Sequence, residues 1–404
     1  MKAEALRSHS PDAGEKRERL LNPGFVSLNI VFLFGSAAMA SFFHLQQYLG
    51  SIKVAPSWAG FIIGADSLAA FFLQPFLAPF LHPGNARRWM IAGLVGMAAA
   101  LFSYGFSDSL SVLITIRIVQ GAGFVCFVAA MTAAIVSYIP PSMSGQAFGF
   151  LSLIRLVPYA LVPPAVGFVM ARNVQFPGVL AGFAVLMLLS IPIVLLVGPR
   201  SHLSGSDKGA ATPGFEGLLK SLRNGAVCAL LMVNMLFYVA YTIVFFYIAG
   251  FGRHIGIERP ELFFTIATAL MIAVRLCASH LFDRRDKFSL AVRCLAGLSI
   301  AFLALIYARG SGFYALAVAF GLGWGVVMPL LNALVFDVSL PAFRGLNLNL
   351  TLIAMQAAFF LGPLAGGFIL GVWSYAALFC LCFLLTLIAV ILLEITAIKR
   401  SRSQ

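Results

Sequence analysis

Three ionisable side chains sit where such groups are costly. Asp66 lies in G-A-D-S, Arg117 in R-I-V-Q-G-A-G and Arg155 in S-L-I-R-L-V, each deep inside an apolar run. A charge at mid-bilayer costs about 2.5–3.5 kcal/mol even on the mildest scale, so each needs a partner or a wet cavity. Two chemistries fit. The arginines can contact an anionic solute while Asp66, raised by desolvation, carries a proton. Alternatively, Asp66 forms a structural salt bridge with Arg117 or Arg155, and the residues alone leave both open. Asn234, Tyr238 and Tyr241 follow i, i+4, i+7 spacing and share one helix face. With Trp324 and Asn332 they are candidates for a polar and aromatic cavity wall. The bland alternative is hydrogen bonding between helices, worth under ~1 kcal/mol each.

Other polar positions carry less. Asn29, His44, Gln46 and Gln47 share one apolar run, and His44, alone near its end, is read as structural. Asp337 and Glu394 fall near helix ends and are expected to be solvated or latched. Arg275 lies two turns before Asp283 and is expected to join it in a latch. No nucleophile–base pair, metal-ligand spacing or cofactor loop is present, so the chain is expected not to be an enzyme and to need no cofactor. Cys126, Cys228, Cys277, Cys294, Cys380 and Cys382 are scattered through apolar runs and are read as small core residues.

The elements that must hold these groups are membrane helices. Of 404 residues 61% are hydrophobic and 10% charged, against about 25% charged in soluble domains. At about 20 apolar residues per span, twelve helices are predicted. The first half holds 25–48, 56–82, 89–107, 110–138, 145–171 and 177–198. The second holds 224–249, 259–281, 288–308, 312–338, 345–371 and 373–397. Residues 1–24 read as a polar tail, 199–223 as a Ser-, Gly- and Lys-bearing linker, and 398–404 as a second tail. The net charge of +13 sits mostly at helix ends, a topology signal and not a nucleic-acid footprint. With both termini in the cytoplasm, cytoplasmic segments carry 18 Lys and Arg and the opposite loops 5. That asymmetry places the tails and the linker inside.

The chain also repeats. Gly121, Gly123, Pro141, Gly145, Pro163 and Gly167 stand 200 residues before Gly321, Gly323, Pro341, Gly345, Pro363 and Gly367. A shared offset is not a property of composition, so the halves are two copies of one unit.

This plan and its local motifs resemble the major facilitator superfamily. R-I-V-Q-G-A-G looks like the superfamily's fourth-helix Arg-x-x-Gln-Gly-x-Gly signature. S-H-L-F-D-R-R-D-K, 279–287, resembles its Gly-x-Leu-Ala-Asp-Arg-x-Gly-Arg loop. The matching first-half loop, P-F-L-H-P-G-N-A-R-R, departs from that pattern, with Pro83 where the Asp belongs. G-P-L-A-G-G, 362–367, is similar to a hinge of superfamily antiporters. The resemblance implies an all-α fold of two six-helix bundles, with the first, fourth, seventh and tenth helices lining a central cavity. It implies gating by Gly121, Gly145, Pro163, Asp283, Arg284, Gly362, Pro363 and Gly366. Glycine and proline suit bending there, since proline removes a hydrogen bond and glycine adds no bulk.

The expectation is a monomeric secondary active transporter of the inner membrane. Arg117, Arg155, Asn234, Tyr238, Trp324 and Asn332 are its candidate substrate contacts and Asp66 its proton-coupling residue. With no ATP-binding signature, energy comes from an ion gradient, with protons the expected ion. Two deep arginines against one deep carboxylate favour an anionic or zwitterionic organic solute. Export is the first direction, import of an organic anion the second. A non-transporting receptor or scaffold is the rival class and predicts no polar cavity.

Overall fold

The computed structural model describes residues 22–77, 80–81, 84–107, 109–136, 138–139, 144–197, 221–277 and 286–401. The stretch 279–285 with Asp283 and Arg284, most of the linker, and Pro83 and Pro141 lie outside them. Among the described residues the chain forms twelve long helices and no strand. They are α1 (Pro23–Ser51, with a 3-10 turn at Phe42–His44), α2 (Pro56–Leu77), α3 (Ala86–Ser103), α4 (Leu110–Val136), α5 (Ser144–Met170) and α6 (Phe176–Leu196). The second half holds α7 (Gly225–His254), α8 (Leu262–Cys277), α9 (Lys287–Ile306), α10 (Ser311–Val338), α11 (Arg344–Val372) and α12 (Tyr375–Ser401). Eleven are long and apolar enough to cross a membrane; α8 is apolar but shorter as described. The last helix runs past residue 397 to Ser401, so part of the expected tail is helical.

Helix starts follow local chemistry. Asn22 accepts from the Phe25 amide ahead of Pro23, Asn224 from Ala226 and Val227, and Asp286 from Ser289. Each cap satisfies backbone donors that have no partner in the first turn. Prolines do not break the long spans: α5 continues through Pro158, Pro163 and Pro164, and α11 through Pro363. The carbonyl of Ala160, four residues before Pro164, accepts the Thr265 hydroxyl of α8 at 2.8 Å. Pro164 has no N–H to offer it, so a side chain from the other half takes its place.

The two halves meet most closely through α2 and α11. A Cβ on Gly64 would lie 2.8 Å from the Phe360 carbonyl, and Gly60 faces the Pro363 carbonyl and Gly367 as tightly. Only residues without a side chain allow this approach. Phe43 against Phe245 and Phe264, Phe61 against Phe360, and Tyr159 against Phe245 complete the seam. These contacts begin near mid-helix and run toward the face opposite the linker, called here the far face. The cysteines depart from expectation: Cys382 is buried, but Cys277 and Cys380 are exposed. A thiol is apolar enough to sit on the outer face of a helix in an apolar surround.

Candidate functional site

Two of the three deep charges find each other. Arg117 Nη2 on α4 lies 2.7 Å from Asp66 Oδ1 on α2, with side chains only 1% and 8% exposed. The guanidinium is otherwise well used. Nε donates to the Ile62 carbonyl at 3.1 Å, Nη2 to Ile63 at 2.6 Å and Nη1 to Gln120 Oε1 at 3.1 Å. The Phe42 ring lies 4.6 Å from its Cζ, and Asp66 Oδ1 also accepts the Ser67 amide at 2.8 Å. The motif explains the geometry. Arg117 and Gln120, three apart, share a face of α4. Gly121 follows on that face, where any Cβ would collide with the backbone of Asp66. The paired alternative is the one the structure forms, and no solute reaches Arg117 in this conformation.

Arg155 is different. It sits near the middle of α5 yet is exposed. Its guanidinium packs 5.4 Å from the Phe32 ring of α1. Among the described residues it has no hydrogen-bond or ion-pair partner. Across the interface it acts electrostatically on Tyr238 of α7, as does Arg275 of α8, and the two arginines act on each other. Tyr159, one turn after Arg155 on α5, feels it too. The far wall is aromatic. Tyr238 and Tyr241 lie with ring centroids 6.2 Å apart, and Phe359 of α11 is 6.2 Å from both. Neither tyrosine hydroxyl has a hydrogen-bond partner among the described residues. Trp324 is buried behind this wall, edge-on to Tyr241 at 4.8 Å.

The remaining predicted residues scatter. Asn234 is buried and its amide donates to Leu230 of its own helix at 3.1 Å, the commonplace use of a polar group in an apolar helix. Asn332 is exposed, two turns beyond Trp324, and joins no hydrogen bond with the cluster. Arg275 reaches Met328 Sδ at 3.7 Å and faces the tyrosines; its expected partner Asp283 lies outside the described residues. Gly362 and Gly366 seat α11 against Thr242 and Tyr247 of α7, and the Pro363 carbonyl accepts the Tyr247 hydroxyl at 2.7 Å. His44 Nε2 makes the same kind of bond to the Pro163 carbonyl, at 2.8 Å, which is the structural part expected of it. Gly145 lies in the first turn of α5. Asp337 pairs with Lys287 at 2.8 Å at an exposed helix end. Sequence reasoning passed over Tyr159 and Phe359 and placed Arg275 elsewhere. Tyr159 was findable, being one helical turn from Arg155; Phe359 and Arg275 are brought in only by packing.

Two six-helix units, a 200-residue repeat and a charge pair built from Arg-x-x-Gln-Gly now stand together. The Major Facilitator Superfamily profile matches residues 25–347. The chain belongs to the Major Facilitator Superfamily. Among curated proteins it is 24% identical over 334 residues to an uncharacterised MFS-type transporter, YuxJ, of Bacillus subtilis (strain 168), covering 80% of this chain and 83% of that one. It is 24% identical over 165 residues to the quinolone resistance protein NorA of Staphylococcus aureus, covering 41% of this chain and 42% of NorA. Among solved structures, the nucleoside transporter NupG superposes with a TM-score of 0.75 at 12% identity, covering 92% of this chain and 98% of NupG. A mutant form of NupG gives 0.79 at 11% identity, covering 92% and 99%. At such identity the likeness is one of fold. An all-α, multi-pass membrane transporter is thus what family and structure agree on, and both point away from an enzyme.

Proposed function

We propose that the protein is a secondary active transporter for a small organic anion or zwitterion, bound between the halves at Arg155. One observation carries this reading: a cation at mid-helix, exposed, cushioned on Phe32 and without a polar partner among the described residues. A buried-depth arginine kept open in this way is matched to a ligand charge that arrives and leaves. Tyr238, Tyr241 and Tyr159 offer hydroxyls and ring faces beside it, suiting an aromatic carboxylate. Binding an anion there offsets repulsion between Arg155 on one half and Arg275 on the other. Substrate charge then favours approach of the halves on the linker side, which is alternating access driven by differential affinity.

Coupling is assigned to the Asp66–Arg117 pair. A proton on Asp66 removes the charge that holds Arg117, loosening α2 from α4 beside the α2–α11 seam. The Lys and Arg distribution supports a cytoplasmic linker face. The lack of a nucleotide-loop signature supports an ion gradient as the energy source, with protons proposed as the ion and the inner membrane as the location. Export is the direction favoured by the partial likeness to a quinolone resistance protein.

The test uses purified protein in lipid nanodiscs, with 4-quinolone-3-carboxylic acid and its methyl ester as probes. The acid is expected to bind at least tenfold more weakly to Arg155→Ala, with partial recovery in Arg155→Lys, while the ester is indifferent to both. Equal binding of the acid to wild type and Arg155→Ala would remove Arg155 from the site.

A further inference from the structure

A cavity lies apart from Arg155, at the far face, between the ends of α1 and α2 from one half and α7, α11 and α12 from the other. Its volume is about 370 Å³, within the range of small-molecule sites. The walls are Gln46, Tyr247, His254, Trp373 and Tyr375, with Pro56 and Ala59 opposite. We propose that this cavity is a ligand site for a neutral, planar aromatic molecule carrying a hydrogen-bond donor and an acceptor, and that its occupation holds the halves together at this face.

The chemistry is read from what the lining leaves unused. No Lys, Arg, Asp or Glu lines the cavity; Arg253 acts on Tyr375 from outside the lining, so no charged side chain stands in the wall to pair directly with a formal charge. The His254 and Tyr375 rings lie side by side at 5.5 Å, tilted by 35°, and Trp373 stands 65% exposed at the mouth. These surfaces accept a flat ring by offset stacking. The Gln46 amide and the His254 ring nitrogens have no hydrogen-bond partner among the described residues. They supply both donor and acceptor capacity. The Tyr247 hydroxyl is already committed to the Pro363 carbonyl, so Tyr247 offers only its ring. Behind the lining, Gly250 leaves room for the Gln46 and Tyr375 tips: a Cβ there would lie 2.9 Å from Gln46 Oε1 and 2.6 Å from the Tyr375 hydroxyl.

Because the walls come from both halves, the cavity exists as a whole only while the halves are closed at this face. A ligand that needs both walls binds this state better than one with the face open, and so shifts the equilibrium toward it. Such a ligand acts from the far face as an inhibitor of transport, distinct from a solute bound at Arg155.

The probe is 2-quinolinone, a neutral planar lactam with one donor and one acceptor. Binding to purified protein in nanodiscs is followed by its fluorescence and by thermal unfolding. Saturable binding with a rise in Tm is expected for wild type and unchanged for Arg155→Ala, which keeps this site separate from the central one. Gln46→Leu and His254→Leu, both at partly or fully exposed positions, are expected to weaken binding at least tenfold while keeping native helicity and Tm. Gly250→Ala is expected to weaken binding too, by pushing the Gln46 and Tyr375 tips out of place. Binding that is as tight in folded Gln46→Leu and His254→Leu as in wild type would overturn the proposal, as would binding lost in Arg155→Ala.

Discussion

Removing one partner of the Asp66–Arg117 pair is the sharpest perturbation the structure offers. Arg117 is fully buried and Asp66 6% exposed, so neither charge can turn to water. In Arg117→Met, Asp66 keeps only Ser67 as a neighbouring donor. Stranding a buried charge in this way costs about 3–5 kcal/mol. Asp66→Asn is milder. Arg117 retains three neutral acceptors in Ile62, Ile63 and Gln120, and the loss is that of one charge-assisted hydrogen bond, about 1.5–3 kcal/mol. The double variant Asp66→Asn/Arg117→Met leaves no unpaired charge and is expected to be more stable than Arg117→Met alone. The coupling across this cycle is then of favourable sign and on the order of 2 kcal/mol. Thermal unfolding of the four proteins, followed by the loss of helical circular dichroism, measures all three differences. A single Arg117→Met within about 1 kcal/mol of wild type, or a double variant no better than it, refutes the pairing argument.

Three further outcomes follow from packing. Thr265→Val leaves the Ala160 carbonyl beside Pro164 without its donor, and is expected to cost about 1–3 kcal/mol and loosen the α5–α8 seam, whereas Thr265→Ser restores it; thermal unfolding of both variants decides. Gly64→Leu places a side chain where even a Cβ meets Phe360 at 2.8 Å, so far-face closure is blocked; a cysteine at Ser374 is then expected to label faster with an impermeant maleimide, and an unchanged rate counts against the α2–α11 seam as a gate. Reporter fusions within 205–214 and beside Lys53 are expected to fall on opposite sides of the membrane, as the Lys and Arg asymmetry requires; reports from one side would break the twelve-helix topology.

The sequence carried the fold because its signals are local or periodic. Apolar runs of about 20 residues mark spans whatever their neighbours, and the 200-residue offset reappears as α4 and α5 against α10 and α11. Arg-x-x-Gln-Gly marked the residues of the charge pair, since 117, 120 and 121 share a face by helical spacing. Asp66, 51 residues away, was named only as one of two alternatives. Depth in a helix tells that a charge must be satisfied, not by what. Arg117 and Arg155 look alike by that measure, each well inside an apolar run. The tertiary structure separates them: the approach of α2 to α4 over Gly121 closes Arg117 onto Asp66, while α5 leaves Arg155 facing α1, α7 and α8 with no carboxylate partner among the described residues. The Gly362–Gly366 motif likewise reads as a bend in sequence, and in the fold it is where α11 lies against Thr242 and Tyr247. Periodicity determined which residues lie on one face; which faces meet was decided by backbone approach between helices distant in the chain, and no local pattern encodes that distance.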